Sequence, residues 1–381
     1  MKLYPFFLAF FIGTGCTCRN NHSKDQETGK ENGGKNQYLD YAKNFTIEES
    51  DEGTCIVVKN PWKRGDSLAT YLLIDENPDA DKTYTCDFVI KVPVEHVVTL
   101  SSTFLGMFCL LGEENRIKAS SDARLIYDPI LYQKYCDGTL ADLGETINLN
   151  VEAIIGQAPD LVMKYIYMDT EDADHKIVQA GIPVAYNLEF METHPLGRAE
   201  WIKFVAAFLG KKNMADSIFR IIEQEYLQVS ELAQNKANKP TVLDGSSYKG
   251  IWYAAGGKSY PAQLYRDAGA EYFWKSDTSY GSIPLSFEVI IEYQADADYW
   301  IGPSTGNRTE LLQIESRYAL LKSFQEGKVF YFGKRINPNG GYDYYESGVV
   351  RPDILLKDLV WIFHPDLLDP AYESVYLERV K

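Results

Sequence analysis

The sequence predicts an α/β protein of two similar Rossmann-like lobes joined by a single long α-helix, with a ligand cleft between the lobes. Three observations predict it. Apolar strands alternate with helices in two separate stretches, the pattern of mostly parallel sheets. One acidic helix start occurs twice, in "INLNVEAIIGQAPDLV" (147–162) and "IPLSFEVIIEYQADADYW" (283–300). Between them runs a helical segment that no proline interrupts before Pro240. The length of 381 residues agrees, being too long for one ordinary core and suited to two lobes of about 150 residues each.

The chain opens with "MKLYPFFLAFFIGTGC", one lysine and an apolar run ending in small residues. That run is too short for a permanent membrane span and has the proportions of a secretion signal. Gly13, Thr14 and Gly15 lead into Cys16 in a way that resembles the lipobox of bacterial lipoproteins, with Gly13 where that pattern usually has leucine. Residues 1–16 therefore read as a lipoprotein signal with lipidation at Cys16; plain cleavage and release is the other reading. Residues 17–53 read as a flexible tether, because "TCRNNHSKDQETGKENGGKNQ" is polar, Gly-rich and without large apolar side chains. The folded body is expected from about Thr54. Export implies an oxidising compartment, in which Cys55 and Cys86, both in strand-like segments, suit either a disulfide or free thiols beside Cys109 and Cys136.

Residues 54–194 read as the first lobe. Its leading runs, "TCIVVKNP", "ATYLLID" and "CDFVIKVP", predict an antiparallel β addition. "HVVTLSSTFLGMFCLLG" then gives strand, Ser-Ser-Thr turn, helix and closing glycine, and "PDLVMKYIY" and "GIPVAYN" are buried strands flanking a helix that ends at Gly181. Residues 195–238 form the linker. Its apolar positions (Trp201, Phe204, Val205, Phe208, then Ile218, Ile221, Ile222, Tyr226, Val229, Leu232) recur at helical spacing. One unbroken helix from about Met214 to Gln234 follows, about 30 Å long, a stiff rod that keeps lobe movement small. Residues 239–381, the second lobe, repeat the grammar of the first. Its strands are expected in "PTVLDGSS", "ADYWIGPS" and "GKVFYFGK". Helix-closing glycines correspond at 269 − 112 = 157 and 327 − 181 = 146 residues, bracketing the 288 − 152 = 136 between Glu152 and Glu288.

Composition narrows function. With 38 Lys+Arg against 54 Asp+Glu the net charge is −16, so nucleic acid lacks the basic footprint it needs and a partner with a basic face fits better. The five histidines are scattered and two precede proline, which disfavours a carrier of bare metal ions. A hydrolase is the competing class, but "GSS" at 245–247 lacks the second glycine of a nucleophile elbow, and "AAGGKS" lacks the spacing of a phosphate loop.

Two α/β lobes, a lipoprotein signal and one long connecting helix resemble the helical-backbone (class III) periplasmic substrate-binding proteins of ABC importers, which capture ferric siderophores, cobalamin or haem. The resemblance covers about residues 94–366 and rests on "VVTLSSTFLGMFCLLG", "INLNVEAIIGQAPDLV", "AGIPVAY" and "DAGAEYFW". It implies that a surface glutamate on each lobe docks onto arginines of a dimeric permease, and Glu152 and Glu288 match those positions. The residues alone admit a plainer reading: Asn150 and Ser286 are good N-caps, and a carboxylate in a first helical turn gains about 0.3–1 kcal/mol from the helix dipole. Capping explains either glutamate singly, but leaves unexplained their recurrence on both lobes. The resemblance further implies an exported lipoprotein on the periplasmic side of a bacterial membrane, acting as a monomer with a permease and its ATPase. A lipid-anchored surface binder without a permease is the remaining alternative.

Ligands of open parallel sheets sit beyond the carboxyl ends of the strands. The loops there hold Ser102, Thr103, Tyr127 and Thr146 in the first lobe and Tyr248, Trp252, Tyr253, Tyr260, Tyr280, Tyr344, Tyr345 and Arg351 in the second. The chain has 27 tyrosines, and such rigid rings with a polar tip suit a large amphipathic ligand as well as ordinary packing at lobe edges. Arg351 is placed to pair with a ligand carboxylate or phosphate, or with Glu346. No intrinsic cofactor is expected. An iron chelate is the first choice of ligand, with cobalamin and haem as alternatives.

Overall fold

The computed structural model describes residues 38–381 apart from 64, 80, 146–148 and 168–171. The signal with Cys16, tether residues 17–37 and Thr146 lie outside the described residues.

Order begins earlier than the sequence reading places it. Strands β1 (Phe45–Ser50), β2 (Gly53–Lys59) and β3 (Ser67–Ile74) are antiparallel, so the expected tether boundary at 53 is too late. Phe45 and Ile47 alternate inward, and Phe45 packs on Trp201 with ring centroids 4.4 Å apart. Upstream, the buried carboxylate of Glu200 accepts the N–H groups of Asp40, Tyr41 and Ala42 at 2.8–3.0 Å, and Glu192 accepts those of Lys43 and Asn44. Glu200 lies in the linker and Glu192 just before it, about 150 residues away in sequence, so no local pattern announces this anchorage. Strand β4 (Phe88–Lys91) runs parallel to β3, where the sequence reading has the whole addition antiparallel. Cys55, Cys86, Cys109 and Cys136 are free thiols.

The first-lobe sheet contains β5 (Val97–Thr99), β6 (Ile117–Ser120), β7 (Ala141–Asp142), β8 (Leu161–Lys164) and β9 (Val184–Tyr186), all parallel in the order β7-β6-β5-β8-β9. Strands β5, β8 and β9 are buried on both faces, which is why they read as unbroken apolar runs. The leading addition seals the β9 edge: the Tyr71 hydroxyl donates to the Val184 carbonyl at 3.1 Å and accepts the Tyr186 N–H at 3.0 Å.

The connecting helix spans Lys212–Gln234, 23 residues or about 34 Å. Its buried face is Ala215, Phe219, Ile222, Tyr226, Val229 and Ala233, packed against the helices Ile202–Leu209 and Pro352–Phe363. Ile221 and Leu232, both in the expected apolar stripe, face outward instead.

The second-lobe sheet uses β10 (Thr241–Asp244), then, past β11 (Ser246–Tyr248) and β12 (Ile251–Ala255), β13 (Glu271–Tyr272). After β14 (Ser282–Leu285) it is completed by β15 (Tyr299–Ile301), β16 (Val329–Tyr331) and β17 (Glu378–Arg379), in the order β13-β10-β15-β16-β17, with β17 antiparallel. Strands β11, β12 and β14 form a separate antiparallel sheet. The Gly-rich stretch read as ligand loops is therefore partly a hairpin.

The duplication seen in sequence is topological. Helix Val151–Gly156 leads into β8, which pairs with β5 on the side away from β6. Helix Phe287–Gln294 leads into β15, which pairs with β10 on the side away from β13. Each helix thus feeds the first strand placed after the strand order reverses. Gly112, Gly181, Gly269 and Gly327 all take left-handed backbone angles (φ +65° to +82°), as closing positions require.

Candidate functional site in the cleft between the lobes

Where strand order reverses, the loops beyond neighbouring strands part and leave a crevice. In the first lobe that crevice lies between the loops after β5 and β8. Ser101, Thr103, Tyr165, Tyr167, Glu189, Phe190 and Arg198 line a cavity of about 350 Å³ there. A second cavity, about 370 Å³, shares Ser101 and Tyr165 and is closed by Ser102, Asp122, Tyr342, Tyr345 and Glu346. A narrow recess of about 20 Å³ shares Arg198 with the first and Tyr345 with the second, with Tyr260 and Tyr344 as walls. The three form one cleft with walls from both lobes and the linker.

The structure brings five of the sequence-expected ligand residues to this cleft: Ser102, Thr103, Tyr260, Tyr344 and Tyr345. Tyr344 is held by stacking on Phe332, ring centroids 4.0 Å apart. Tyr127 sits at the seam between the lobes, its ring under the Arg335 guanidinium at 5.0 Å, and lines none of the three cavities. Tyr248, Tyr253 and Tyr280 are exposed on or beside the small antiparallel sheet, outside these cavities.

Two expectations are corrected. Trp252 is fully buried among Phe287, Trp300 and Tyr318 and donates its indole N–H to the Asp244 carbonyl at 2.8 Å, so it is core. The alternation of β12 sends Trp252 inward and its neighbour Tyr253 out. Arg351, expected to bind ligand, instead makes a bidentate pair with Asp353 (2.9 and 2.7 Å) and lines none of the three cavities, and the alternative pairing with Glu346 does not form.

Glu346 is engaged elsewhere. It is 2% exposed and accepts the backbone N–H groups of Tyr127 and Asp128 from the opposite lobe. Burial pushes its carboxyl up to about 8, against the pull of those two donors and reinforced by Asp343 and Asp128. It belongs to a strap, residues 335–346, that crosses to the first lobe. Asn337 donates from Nδ2 to the carbonyls of Arg124 and Ile126, both at 2.8 Å. A Cβ on Gly341 would stand 1.6 Å from the Leu125 carbonyl oxygen, so only glycine permits this approach.

The residues missed in sequence are Arg198, Glu189, Tyr165, Tyr167, Phe190, Tyr342 and the Glu346 anchorage. A signal existed for the first: "ETHPLGRAEWIKF" carries Glu192, Arg198, Glu200 and Lys203 within an otherwise apolar helical run, and all four are buried. Arg198 donates from Nε to Glu189 at 2.6 Å, and its guanidinium carbon lies 4.2 Å from the Tyr260 ring centroid.

Glu152 and Glu288 occupy equivalent first turns, capped by Asn150 and Ser286 side chains that accept from Ala153 and Val289. Both glutamates are exposed. Glu288 pairs with Arg317 at 2.7 Å, which holds its carboxyl below the usual range. Glu152 has no ion pair among the described residues. Among those residues no group of three or more His, Cys, Asp or Glu side chains is gathered to hold a metal ion.

Two α/β lobes around an aromatic cleft, joined by one long helix, are the architecture of a periplasmic binding protein. The chain belongs to the periplasmic binding protein family, which residues 97–336 match. It is similar to two uncharacterized lipoproteins of Methanocaldococcus jannaschii. One is 27% identical over 351 residues, covering 86% of this chain and 82% of the relative; the other is 25% identical over 354 residues, covering 90% and 86%. Among solved structures it resembles a periplasmic haem-binding protein from Pseudomonas aeruginosa, with TM-score 0.57, 18% identity and coverage of 76% of this chain and 98% of that one. It also resembles Helicobacter pylori CeuE in a nickel–histidine complex, with TM-score 0.57, 16% identity and coverage of 73% and 85%. These structural likenesses establish the fold.

Proposed function

We propose that this is a lipid-anchored binding protein that captures an iron complex, a ferric siderophore or similar chelate, and delivers it to the permease of an ABC importer. The observation that carries the reading is the cleft itself. Rigid phenol rings and hydroxyls from both lobes line two adjoining cavities of about 350 and 370 Å³, a lining suited to a large ligand with apolar faces and polar edges. A hydrolase reading has no comparable support, since the cleft gathers no nucleophile with a histidine base. Haem is a second reading of the same cleft, favoured by the exposed phenols of Tyr165, Tyr167 and Tyr345, a residue type that ligates haem iron; cobalamin is a third. Cys16 and the lipoprotein names of the two archaeal relatives support the anchor. Glu152 and Glu288, placed alike on the two lobes, are the proposed docking knobs for a permease with two like halves.

Protein purified from its own host should carry the absorption of its ligand, and titration with ferric hydroxamate, ferric catecholate, haem and cyanocobalamin should quench its fluorescence for one of them. Saturable binding of an iron complex supports the proposal. Failure of all four probes to bind would overturn it.

A further inference from the structure

Arg198 is the one cation among the described residues that line the cleft, which otherwise presents Asp122, Glu189 and Glu346. It is nine-tenths buried, at 8% exposure. Of its donors only Nε is engaged, on Glu189, and the two terminal nitrogens make no hydrogen bond or ion pair with the described residues. These two nitrogens are not among the buried side-chain atoms left without a partner, so they stand open to the cleft, where solvent or a ligand group can meet them. Position explains where they are meant to be met. Arg198 lines both the large cavity at the reversal of strand order and the recess behind it, so its free edge borders the ligand space.

The side chain is also held as a recognition group is held. Glu189 fixes the Nε edge, the Tyr260 ring lies against the guanidinium, and the Glu189 backbone is tied by its N–H to Asn187 Oδ1 at 2.9 Å. Ser101 and Thr103, whose hydroxyls lie 3.0 Å apart, line the same cavity and add short polar donors. Because Glu189 already balances the charge, attraction at long range is weak. What remains is the planar fork of terminal N–H groups, which matches two oxygens of one group.

We propose that the ligand carries a carboxylate, or an oxyanion of like shape, and that the terminal nitrogens of Arg198 receive it. This rests on the cleft being the ligand site and adds the chemical class of one end of the ligand.

The test compares haem, which bears two carboxylates, with its dimethyl ester, by fluorescence quenching of the purified protein. Two variants accompany the wild type. Arg198→Lys keeps the charge and loses the fork, and Arg198→Gln with Glu189→Gln removes the pair without stranding a buried carboxylate. The expected result is that the wild type favours haem by about 10-fold or more, and that both variants lose the preference. Equal wild-type affinities, or a preference that survives in both variants, overturns the assignment to Arg198 and leaves the proposed function standing. If no porphyrin binds, titration with malonate decides, read at the Arg198 Nε–H resonance. A saturable shift in wild type supports the oxyanion seat, and no shift overturns it. Loss of all chelate and macrocycle binding with the malonate shift intact would count against the proposed function alone.

Discussion

Replacing Asn337 with alanine should loosen the seam between the lobes. The side chain, 6% exposed, makes four hydrogen bonds: Nδ2 to the Arg124 and Ile126 carbonyls, and Oδ1 from the N–H groups of Asn339 at 2.9 Å and Gly341 at 2.7 Å. At about 1 kcal/mol net for each bond, with the buried Gly341 N–H left unmet and the Asn339 end open to water, the loss should be about 3 kcal/mol. Equilibrium urea unfolding gives the global figure, and amide hydrogen exchange locates it. Exchange should quicken together in 335–346 and in 123–128, since neither side of the seam is held without the other. Asn339→Ala is the control: its Nδ2 bonds to the Arg124 carbonyl and the Tyr132 hydroxyl are exposed, and the loss should stay below about 1 kcal/mol. A loss below about 1 kcal/mol for Asn337→Ala, or faster exchange confined to 335–346, would refute the strap as a tie between lobes.

Glu346→Gln tests the buried carboxyl. Folded Glu346 keeps its proton up to about pH 8, whereas the unfolded chain releases it from about pH 4.5, so folding takes up a proton between these values. Its contribution is therefore full below about pH 4.5 and is lost as pH rises to about 8, by at most about 1.4 kcal/mol per unit. Urea midpoints should show wild type losing ground to the variant across that window; parallel pH profiles would contradict the assignment. Trp252→Ala should cost about 3–5 kcal/mol by emptying a packed core site, with ligand affinity of the folded fraction unchanged. Weakened affinity at full folding would return Trp252 to the cleft. Glu152→Arg together with Glu288→Arg should abolish permease binding and spare ligand binding, as read in pull-down and quenching assays. Singly, Glu152→Arg should do more harm, because Arg317 already partners Glu288; equal single effects would remove that distinction.

What the sequence made legible was whatever local chemistry announces. The four closing glycines, the two capped acidic helix starts and the rod were readable because a left-handed turn, a cap and a 3.6-residue period each demand particular residues in a short window. Trp252 and Tyr253 show a signal passed over: in "IWYAA" the β-branched and aromatic residues mark a strand, yet the glycines on either side suggested a loop. The early start of the body, the strap and Arg198 have no such signature. Glu200 holds Asp40 across 160 residues, and Glu346 holds Tyr127 across 219. A glutamate that satisfies distant backbone donors looks in sequence like any surface glutamate.

These long-range ties bear on how the cleft works. The rod, Lys212–Gln234, packs lengthwise on the helix Pro352–Phe363 and is pinned to it by Lys357 on Glu225 at 2.6 Å. The strap ties the lobes again, through hydrogen bonds to backbone groups of residues 124–128. Two lobes joined by both a helix and a hydrogen-bonded strap have little freedom to hinge, since opening would strand the Asn337 amide donors and the buried Glu346 acceptor. Ligand entry then has to use the exposed rings at the rim, Tyr165, Tyr167 and Tyr345, whose side chains turn on their own. In the proposed importer, a body that changes little on loading also keeps the proposed docking glutamates, Glu152 and Glu288, at one separation, so the permease would have to sense occupancy through the ligand or the rim.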